Sequence, residues 1–416
     1  MQLKNNISCG LGCSLEWFDF ALYGFFGPVF SKVFFPNAPI SKWESLMIVY
    51  AIFAIGFAAR PFGAIVFGYL GDKYGRTIPL KITPLFISIF TASIALLPTY
   101  QSAGFISIFM LLGLRIIQGV FLGGEFSNSI VYLCESSQKF RYFWGSIASF
   151  SGGFGIFIAS ATASIFYRLL DPNFLYTEGW RIAFLISIPI GIFTFFMRLR
   201  MSESPEFLPA YKESPLKITL KKQKSKLVLC LGLIYLHATS FYFVYMFLPV
   251  FLIKVRKVTE ASAFFNNSWF LIFHLLLIPF LGKIVNKIGG EKSNLVACCL
   301  FFLLSPLCFY LISNGSHTAI FFGILALSGM TALNAAIIPG LLSEVIPSNV
   351  RCTILGVAFN LGFGIIGGIV PILCLFLVHL GGRELLPTIY LEVASLITLL
   401  STLYAASIAR KCYETR

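Results

Sequence analysis

The chain is poor in charged residues. Only 12% of its 416 residues are Asp, Glu, Lys or Arg, whereas soluble domains carry about a quarter. Hydrophobic residues make up 57% of the chain, and the mean hydropathy is +0.86. One or two soluble cores cannot hide 46 Phe side chains. The composition therefore excludes a protein with a single membrane anchor and a secreted domain held by disulfides.

The sequence also lacks the short motifs of ATP-driven and metal-dependent chemistry. It contains no Walker loop, no H-E-x-x-H and no Cys/His cluster with metal-ligand spacing. The ten Cys lie in apolar runs or beside basic segments, which is typical of small buried thiols. We therefore expect no cofactor, no metal and no enzymatic activity.

Long apolar runs are what the sequence has instead. A helix needs about 20 mostly apolar residues to span a bilayer, and twelve such runs are separated by short polar breaks. They cover approximately 12–35, 45–70, 80–98, 104–134, 143–167, 180–199, 227–252, 261–282, 294–313, 318–342, 352–379 and 386–408. The pattern predicts an all-α, polytopic membrane protein with twelve transmembrane helices.

The distribution of basic residues predicts the orientation. Most of the 31 Lys and Arg lie at the two termini and in the even-numbered connections. Because basic residues mark the cytoplasmic side, both termini are expected in the cytoplasm. This topology accounts for the formal net charge of +14 without a nucleic-acid partner.

The chain divides into two halves that repeat each other. The longest break predicts an N-terminal six-helix bundle over 1–200, a cytoplasmic connecting loop over 201–226 and a C-terminal six-helix bundle over 227–416. F-S-G-G-F-G-I from Phe150 recurs as F-N-L-G-F-G-I from Phe359, each after a Glu and an Arg. Two pseudo-symmetric six-helix bundles are a transporter architecture, with substrate bound near the midplane.

The strongest local motif is G-Y-L-G-D-K-Y-G-R, which connects the second and third runs. Gly68 and Gly75 allow helix ends to approach closely, Asp72 is suited to accept hydrogen bonds from a helix N-terminus, and Arg76 to pair with an acid. A connection outside the bilayer core does not touch substrate at the midplane. We therefore interpret these four residues as a conformational latch.

Charged residues inside the first and fourth runs are candidates for proton coupling. Arg115, Gln118 and Glu125 share one helical face, and charges within a span usually pair or line a cavity. At 1.5 Å per residue, Asp19 lies at nearly the depth of Arg115. We predict an Asp19–Arg115 ion pair, with Asp19 as proton carrier, Glu125 as the alternative carrier and Glu16 nearby.

Several segments together resemble one transporter family. E-W-F-D-F-A-L-Y-G-F-F, A-R-P-F-G, G-D-K-Y-G-R, R-I-I-Q-G-V-F-L-G-G-E-F and R-L-R-M-S-E-S-P-E-F occur in the order typical of the metabolite:proton symporters of the major facilitator superfamily. That family includes transporters of proline and betaine, α-ketoglutarate, citrate and shikimate. The resemblance implies proton-coupled uptake of a small solute by alternating access, in the inner (plasma) membrane of a bacterium, by a monomer.

The residues leave the substrate open. Arg115 or Arg60 is suited to a carboxylate, and Trp17, Tyr23 or Tyr245 to a quaternary ammonium. Proline- or betaine-type zwitterions are the first expectation, with α-ketoglutarate- or citrate-type dicarboxylates as the alternative. Proton-driven drug antiporters of the same fold typically have a Gly-Pro pair in the fifth helix. Run 143–167 contains no Pro, so this alternative is disfavoured. Gln118 and His237 complete the tentative substrate-binding set.

Overall fold

A computed structural model describes residues 2–35, 42–208, 215–379 and 386–414. These residues form helices and no strand. The fourteen helices labelled here are α1 Gln2–Phe25, α2 Gly27–Phe34, α3 Lys42–Tyr74, α4 Thr77–Ala95, α5 Phe105–Glu135, α6 Arg141–Leu169, α7 Pro172–Leu199, α8 Pro215–Lys222, α9 Lys224–Lys254, α10 Glu260–Ile288, α11 Gly290–Asn314, α12 His317–Val345, α13 Ser348–His379 and α14 Leu386–Glu414.

Eleven helices of the described residues are long and apolar enough to span a membrane. They correspond to the second to twelfth predicted runs. The first run, 12–35, falls on α1 and α2, and hydrogen bonding continues across their junction, from Phe26 N to Leu22 O at 3.0 Å and from Phe30 N to Phe26 O at 2.9 Å. Counted with the eleven, this segment gives twelve helices, and the predicted all-α membrane fold is confirmed.

Large apolar side chains cover much of the outer surface. Phe109 is 71% exposed, Ile372 73% and Leu400 65%. Within a bilayer, lipid tails cover such side chains, while helices satisfy their own backbone hydrogen bonds. The surface is thus that of a multi-pass membrane protein.

The chain forms two compact units. The first comprises 1–136, 151–216 and 348–356, and the second 137–150, 217–347 and 357–416. Each has its own aromatic-rich core, built around residues such as Phe30 and Trp180 in the first unit and Phe247 and Phe309 in the second. Residues 209–214 of the predicted connecting loop lie outside the described residues, and α8 follows them.

Close contact between α3 and α5 positions the charged face of α5. A Cβ atom at Gly119 would lie 2.1 Å from the carbonyl oxygen of Gly56, and one at Gly123 would lie 1.9 Å from that of Arg60. Only glycine allows this approach of two helix backbones. The contact holds the Arg115 side of α5 beside α3.

Candidate functional site

Six of the charged side chains buried in the first unit lie on α1, α3, α5 and α7, apart from those around the G-D-K-Y-G-R turn. They are Glu16 and Asp19 on α1, Arg60 on α3, Arg115 and Glu125 on α5, and Arg198 on α7. Two ion pairs form among them: Arg60 Nη2 lies 3.2 Å from Glu16 Oε1, and Arg198 Nη2 lies 2.7 Å from Glu125 Oε1. Asp19 and Arg115 are left without an oppositely charged partner among the described residues.

Asp19 is bound by hydroxyl groups. Ser187 on α7 donates to Asp19 Oδ1 at 2.5 Å, and Thr91 on α4 lies next to the same carboxyl. The Oδ2 atom accepts no hydrogen bond from any described residue. The predicted Asp19–Arg115 ion pair was therefore wrong for this conformation: equal depth placed the two groups in one layer but did not direct them at each other.

The guanidinium of Arg115 is held by an amide and by aromatic rings. Its Nη1 donates to Gln118 Oε1 at 2.5 Å, one turn along the same helix. It also lies 4.1 Å from the ring centroid of Tyr23 and 4.8 Å from that of Phe20. Its Nε and Nη2 groups donate to no described residue. A buried guanidinium with free N–H groups is suited to bind a carboxylate.

The aromatic side chains of the first unit already contact arginines. The Arg60 guanidinium lies 5.1 Å from the Trp17 ring centroid and 5.2 Å from that of Phe57, and Tyr23 packs against Arg115. Since a second cation on the same ring would be repelled, Trp17 and Tyr23 are poor sites for a quaternary ammonium in this arrangement.

Tyr245 belongs to a separate aromatic cluster in the second unit. Its ring lies 5.1 Å from Phe241 on α9 and 5.2 Å from His274 on α10. His237, two turns before Tyr245, lies 5.0 Å from Phe363 on α13. Phe243–Phe247 forms a π-helical turn, a distortion that often occurs at functional sites.

Polar atoms in this cluster lack partners. The Tyr245 hydroxyl, His237 Nδ1 and Ser328 Oγ are buried and make no hydrogen bond with a described residue. Buried polar groups without partners call for an explanation, and a bound solute or water is one. His237, Phe241 and Tyr245 on α9 thus form an aromatic surface with polar atoms that no described residue binds.

The G-D-K-Y-G-R turn lies outside these buried clusters. Asp72 caps the N-terminus of α13: Oδ1 accepts from Cys352 N at 2.9 Å, and Oδ2 accepts from Thr353 N at 2.9 Å and from its hydroxyl at 2.7 Å. A Cβ at Gly68 would lie 2.8 Å from Thr353 Cα. Gly75 has φ of +120°, which L side chains rarely adopt.

Arg76 is at the centre of the hydrogen bonds around this turn. It pairs with Asp72 at 2.8 Å and with Glu135 at 3.0 Å, and it donates to Ser348 O at 2.6 Å. Glu135 also pairs with Arg351 at 2.6 Å. These contacts join α3, α5 and α13 within the first unit.

Sequence reasoning missed two acids next to this turn. Glu203 accepts from Arg76 N at 2.9 Å and from the Thr77 hydroxyl at 3.0 Å, at the start of α4. Glu206 pairs with Arg351 at 2.9 Å. Both belong to the R-L-R-M-S-E-S-P-E-F segment, which indicated the family but no contact. The two acids on either side of Pro205 were the available signal.

A multi-pass helical chain of two compact units, with buried charges and polar groups inside its spans, has the architecture of a membrane transporter. The chain belongs to the Major Facilitator Superfamily, whose family model matches residues 9–371. It is 31% identical over 405 residues to a putative proline/betaine transporter of Staphylococcus aureus (strain COL), covering 95% of this chain and 86% of that protein. The relatives of the chain are transporters and not enzymes.

The chain is also similar to a second proline/betaine transporter and to two solved transporter structures. The proline/betaine transporter of Escherichia coli (strain K12) is 29% identical over 411 residues, covering 95% of this chain and 81% of that protein. The fold resembles that of the proton:xylose symporter XylE, with a TM-score of 0.77 at 16% identity over 97% of this chain and 94% of that chain. FucP in its outward conformation gives a TM-score of 0.67 at 15% identity, covering 95% and 97% of the two chains. The expected resemblance to proline/betaine transporters is confirmed.

Proposed function

We propose that the protein takes up a small organic zwitterion or monocarboxylate together with protons, with proline- or betaine-type compounds as the first candidates. The observation that carries the proposal is the pair of buried side chains without counter-charges. Arg115 offers free N–H groups to a carboxylate, and Asp19 offers a carboxyl that no cation neutralises. Burying an isolated charge costs several kcal/mol. A substrate anion on Arg115 and a proton on Asp19 would each remove one such cost.

The ion pairs favour one carboxylate over two. A dicarboxylate of the α-ketoglutarate or citrate type would best use two free cations, yet Arg60 and Arg198 are paired with Glu16 and Glu125. This leaves Arg115 as the buried arginine within the described spans that has no acid. The alternative of a dicarboxylate symporter therefore needs a rearrangement that the zwitterion does not, and no observation favours a drug antiporter.

For a quaternary ammonium or imino group, the aromatic surface of the second unit is the better candidate. Phe241 and Tyr245 have no described lysine or arginine over their rings, in contrast to Trp17 and Tyr23. Cation–π contact requires such an open ring face. His237 and His274 beside them would add hydrogen-bonding groups.

Transport in this proposal occurs by alternating access in the inner (plasma) membrane of a bacterium, by a monomer with both termini in the cytoplasm. The Asp72–Arg76 turn acts as a latch that holds the start of α13 in one of the two states. Support for this role comes from its contacts with α13 and α5, which a change of state must break or move. The turn itself does not bind substrate.

The test is uptake into proteoliposomes after a thermal-shift panel. Purified protein is screened with L-proline, glycine betaine, α-ketoglutarate, citrate and shikimate, since a ligand stabilises the state that binds it. Binders are then tested for accumulation driven by an inward proton gradient. Arg115→Gln should abolish both binding and uptake, whereas the control Arg181→Gln, at an arginine that donates to backbone carbonyls, should retain both. Stabilisation by citrate alone, or accumulation without a proton gradient, would contradict the proposal.

A further inference from the structure

A short chain of polar side chains connects the two unneutralised groups of the first unit. Arg115 Nη1 donates to Gln118 Oε1 at 2.5 Å, and Gln118 Nε2 donates to Thr91 Oγ1 at 2.6 Å. The Thr91 hydroxyl in turn lies next to the carboxyl of Asp19. All four side chains are at most 1% exposed. We propose that Gln118 and Thr91 are positioning residues that couple anion binding at Arg115 to the protonation of Asp19.

The hydrogen bonds that connect Arg115 to Asp19 through Gln118 and Thr91 all run in the same donor-to-acceptor direction. Because Thr91 Oγ1 accepts from Gln118, the hydrogen of its own hydroxyl remains free to turn toward Asp19, whose Oδ2 accepts no hydrogen bond from a described residue. Each donor thus points away from the cation and toward the carboxylate. Consecutive hydrogen bonds in a low-dielectric interior polarise one another, so this order favours the ionised form of Asp19.

Substrate would act on this series of hydrogen bonds at Arg115, its cationic end. An anion on the free N–H groups of Arg115 reduces the positive field that polarises Gln118 and Thr91. The ionised form of Asp19 is then less favoured, and a proton binds more readily. Because linkage is reciprocal, a proton on Asp19 strengthens anion binding by the same factor. Positive coupling of this kind is what symport requires, so the inference rests on the proposed function.

Other charges around α1 do not replace this connection. The helices packed on α1 bring Arg60 from α3, Arg115 and Glu125 from α5, and Arg198 from α7. Arg60 and Arg198 are paired with acids, and Glu16 on α1 itself is one of these partners. From α4 the neighbour is the hydroxyl of Thr91, and from α7 that of Ser187.

A substrate-free measurement tests the connection. The protonated carboxyl of Asp19 has an infrared C=O band that is absent from the Asp19→Asn variant, so its titration gives the midpoint pH directly. Gln118→Met keeps the size of the side chain but cuts the chain without touching Asp19. We expect the midpoint to rise by about 0.5 to 1 pH unit, a three- to tenfold gain in proton affinity, which is the effect of one net hydrogen bond.

A double-mutant cycle separates coupling from a local change. Thr91→Val should also raise the midpoint, and Gln118→Met should add little in the Thr91→Val background, because the chain is already cut. The control Thr194→Val removes a buried hydroxyl that donates to Ile190 O of its own helix and should leave the midpoint unchanged. An unchanged midpoint in Gln118→Met, or fully additive shifts, would overturn the connection.

The same variants distinguish failure of the connection from failure of the proposed function. Glycine betaine and L-proline are added to the wild type at a pH near the midpoint, and proton uptake is followed with a pH indicator. If the wild type takes up protons and Gln118→Met takes up as many, the connection is wrong and symport stands. If the midpoint shifts as expected but neither compound changes the protonation of the wild type, the connection stands and the proposed substrate class is wrong.

Discussion

Asp72 binds Thr353, which lies 281 residues later in the sequence. Its Oδ2 accepts hydrogen bonds from the backbone N–H of Thr353 at 2.9 Å and from the hydroxyl at 2.7 Å. The positive end of the α13 dipole adds to this contact, because an anion at a helix N-terminus is stabilised. Arg76 pairs with Asp72 at 2.8 Å. One carboxylate thus holds a helix end and a buried guanidinium together.

Replacing Asp72 with Asn tests its role as a latch. The amide oxygen retains one acceptor, as Asn286 Oδ1 does when it accepts from Tyr142 N at 3.0 Å near the C-terminal end of α10. The fold should therefore survive, while loss of the charge weakens the Arg76 contact. We expect the transport rate to fall at least tenfold with ligand affinity changed less than about threefold, measured by initial uptake and by thermal shift.

Asp171→Asn is the matched control for this variant. Asp171 also caps a helix N-terminus through backbone N–H groups, with Asn173 N at 2.8 Å, but it belongs to an exposed turn and makes no ion pair with a described residue. It should transport at the wild-type rate. Loss of binding in Asp72→Asn with an unchanged rate for bound substrate would count against the latch.

The Arg198–Glu125 pair predicts a stability effect. Both side chains are fully buried at 2.7 Å, and Thr83 and Ser129 also donate to Glu125. Glu125→Gln leaves the guanidinium without a counter-charge, which costs about 3–5 kcal/mol in buried pairs. We expect a markedly lower unfolding temperature in detergent. Glu178→Gln, which breaks an exposed pair with Arg181 at 3.4 Å, should change it little, since surface pairs contribute about 0–1 kcal/mol.

Glu125 is also the alternative proton carrier, and the same variant addresses that possibility. If Glu125→Gln melts like the wild type but no longer accumulates substrate against a gradient, Glu125 carries the proton and its pairing with Arg198 must open during transport. Retained accumulation with reduced stability would instead identify the pair as structural.

The proposed orientation predicts a labelling pattern. Lys221 on α8 and Lys257 after α9 are both exposed. In a background in which Cys412 and Cys299, the latter of which is exposed, are replaced by Ser, Lys221→Cys should react with an impermeant maleimide only from the cytoplasmic side, and Lys257→Cys only from outside. The reverse pattern would overturn the assignment of the termini to the cytoplasm.

Local patterns in the sequence identified candidate segments, but they did not identify which side chains pair with each other. The turn containing Asp72 and Arg76 was recognisable because its glycines and charges lie within nine residues, and the shared face of Arg115 and Gln118 followed from the helical repeat. The depth of a residue along a helix, by contrast, does not determine which way its side chain points. Asp19 contacts Ser187, 168 residues away, and only the packing of α1 on α7 determines that choice.

The pairing of Glu16 with Arg60 likewise could not be predicted from the depth of the two residues along their helices. Apart from those around the G-D-K-Y-G-R turn, five buried acids and bases lie on α1, α3 and α5, so sequence alone permits several pairings of similar depth. The contacts of Gly119 and Gly123 with α3 fix how close α3 and α5 lie, and this closeness determines which guanidinium reaches which carboxylate. Such contacts depend on helix rotation, which composition and periodicity do not specify.

The last prediction concerns Asp19 and Arg115 as the proton and substrate sites. Asp19→Asn imitates a permanently protonated carboxyl and keeps a group that can accept from Ser187. We expect binding and exchange of glycine betaine to survive, with proton-driven accumulation lost. Arg115→Lys keeps the charge but not the planar fork that binds a carboxylate at two points, so affinity should fall at least tenfold. Counterflow and gradient-driven uptake in proteoliposomes measure the two effects separately. Accumulation by Asp19→Asn with undiminished proton uptake would show that another group carries the proton.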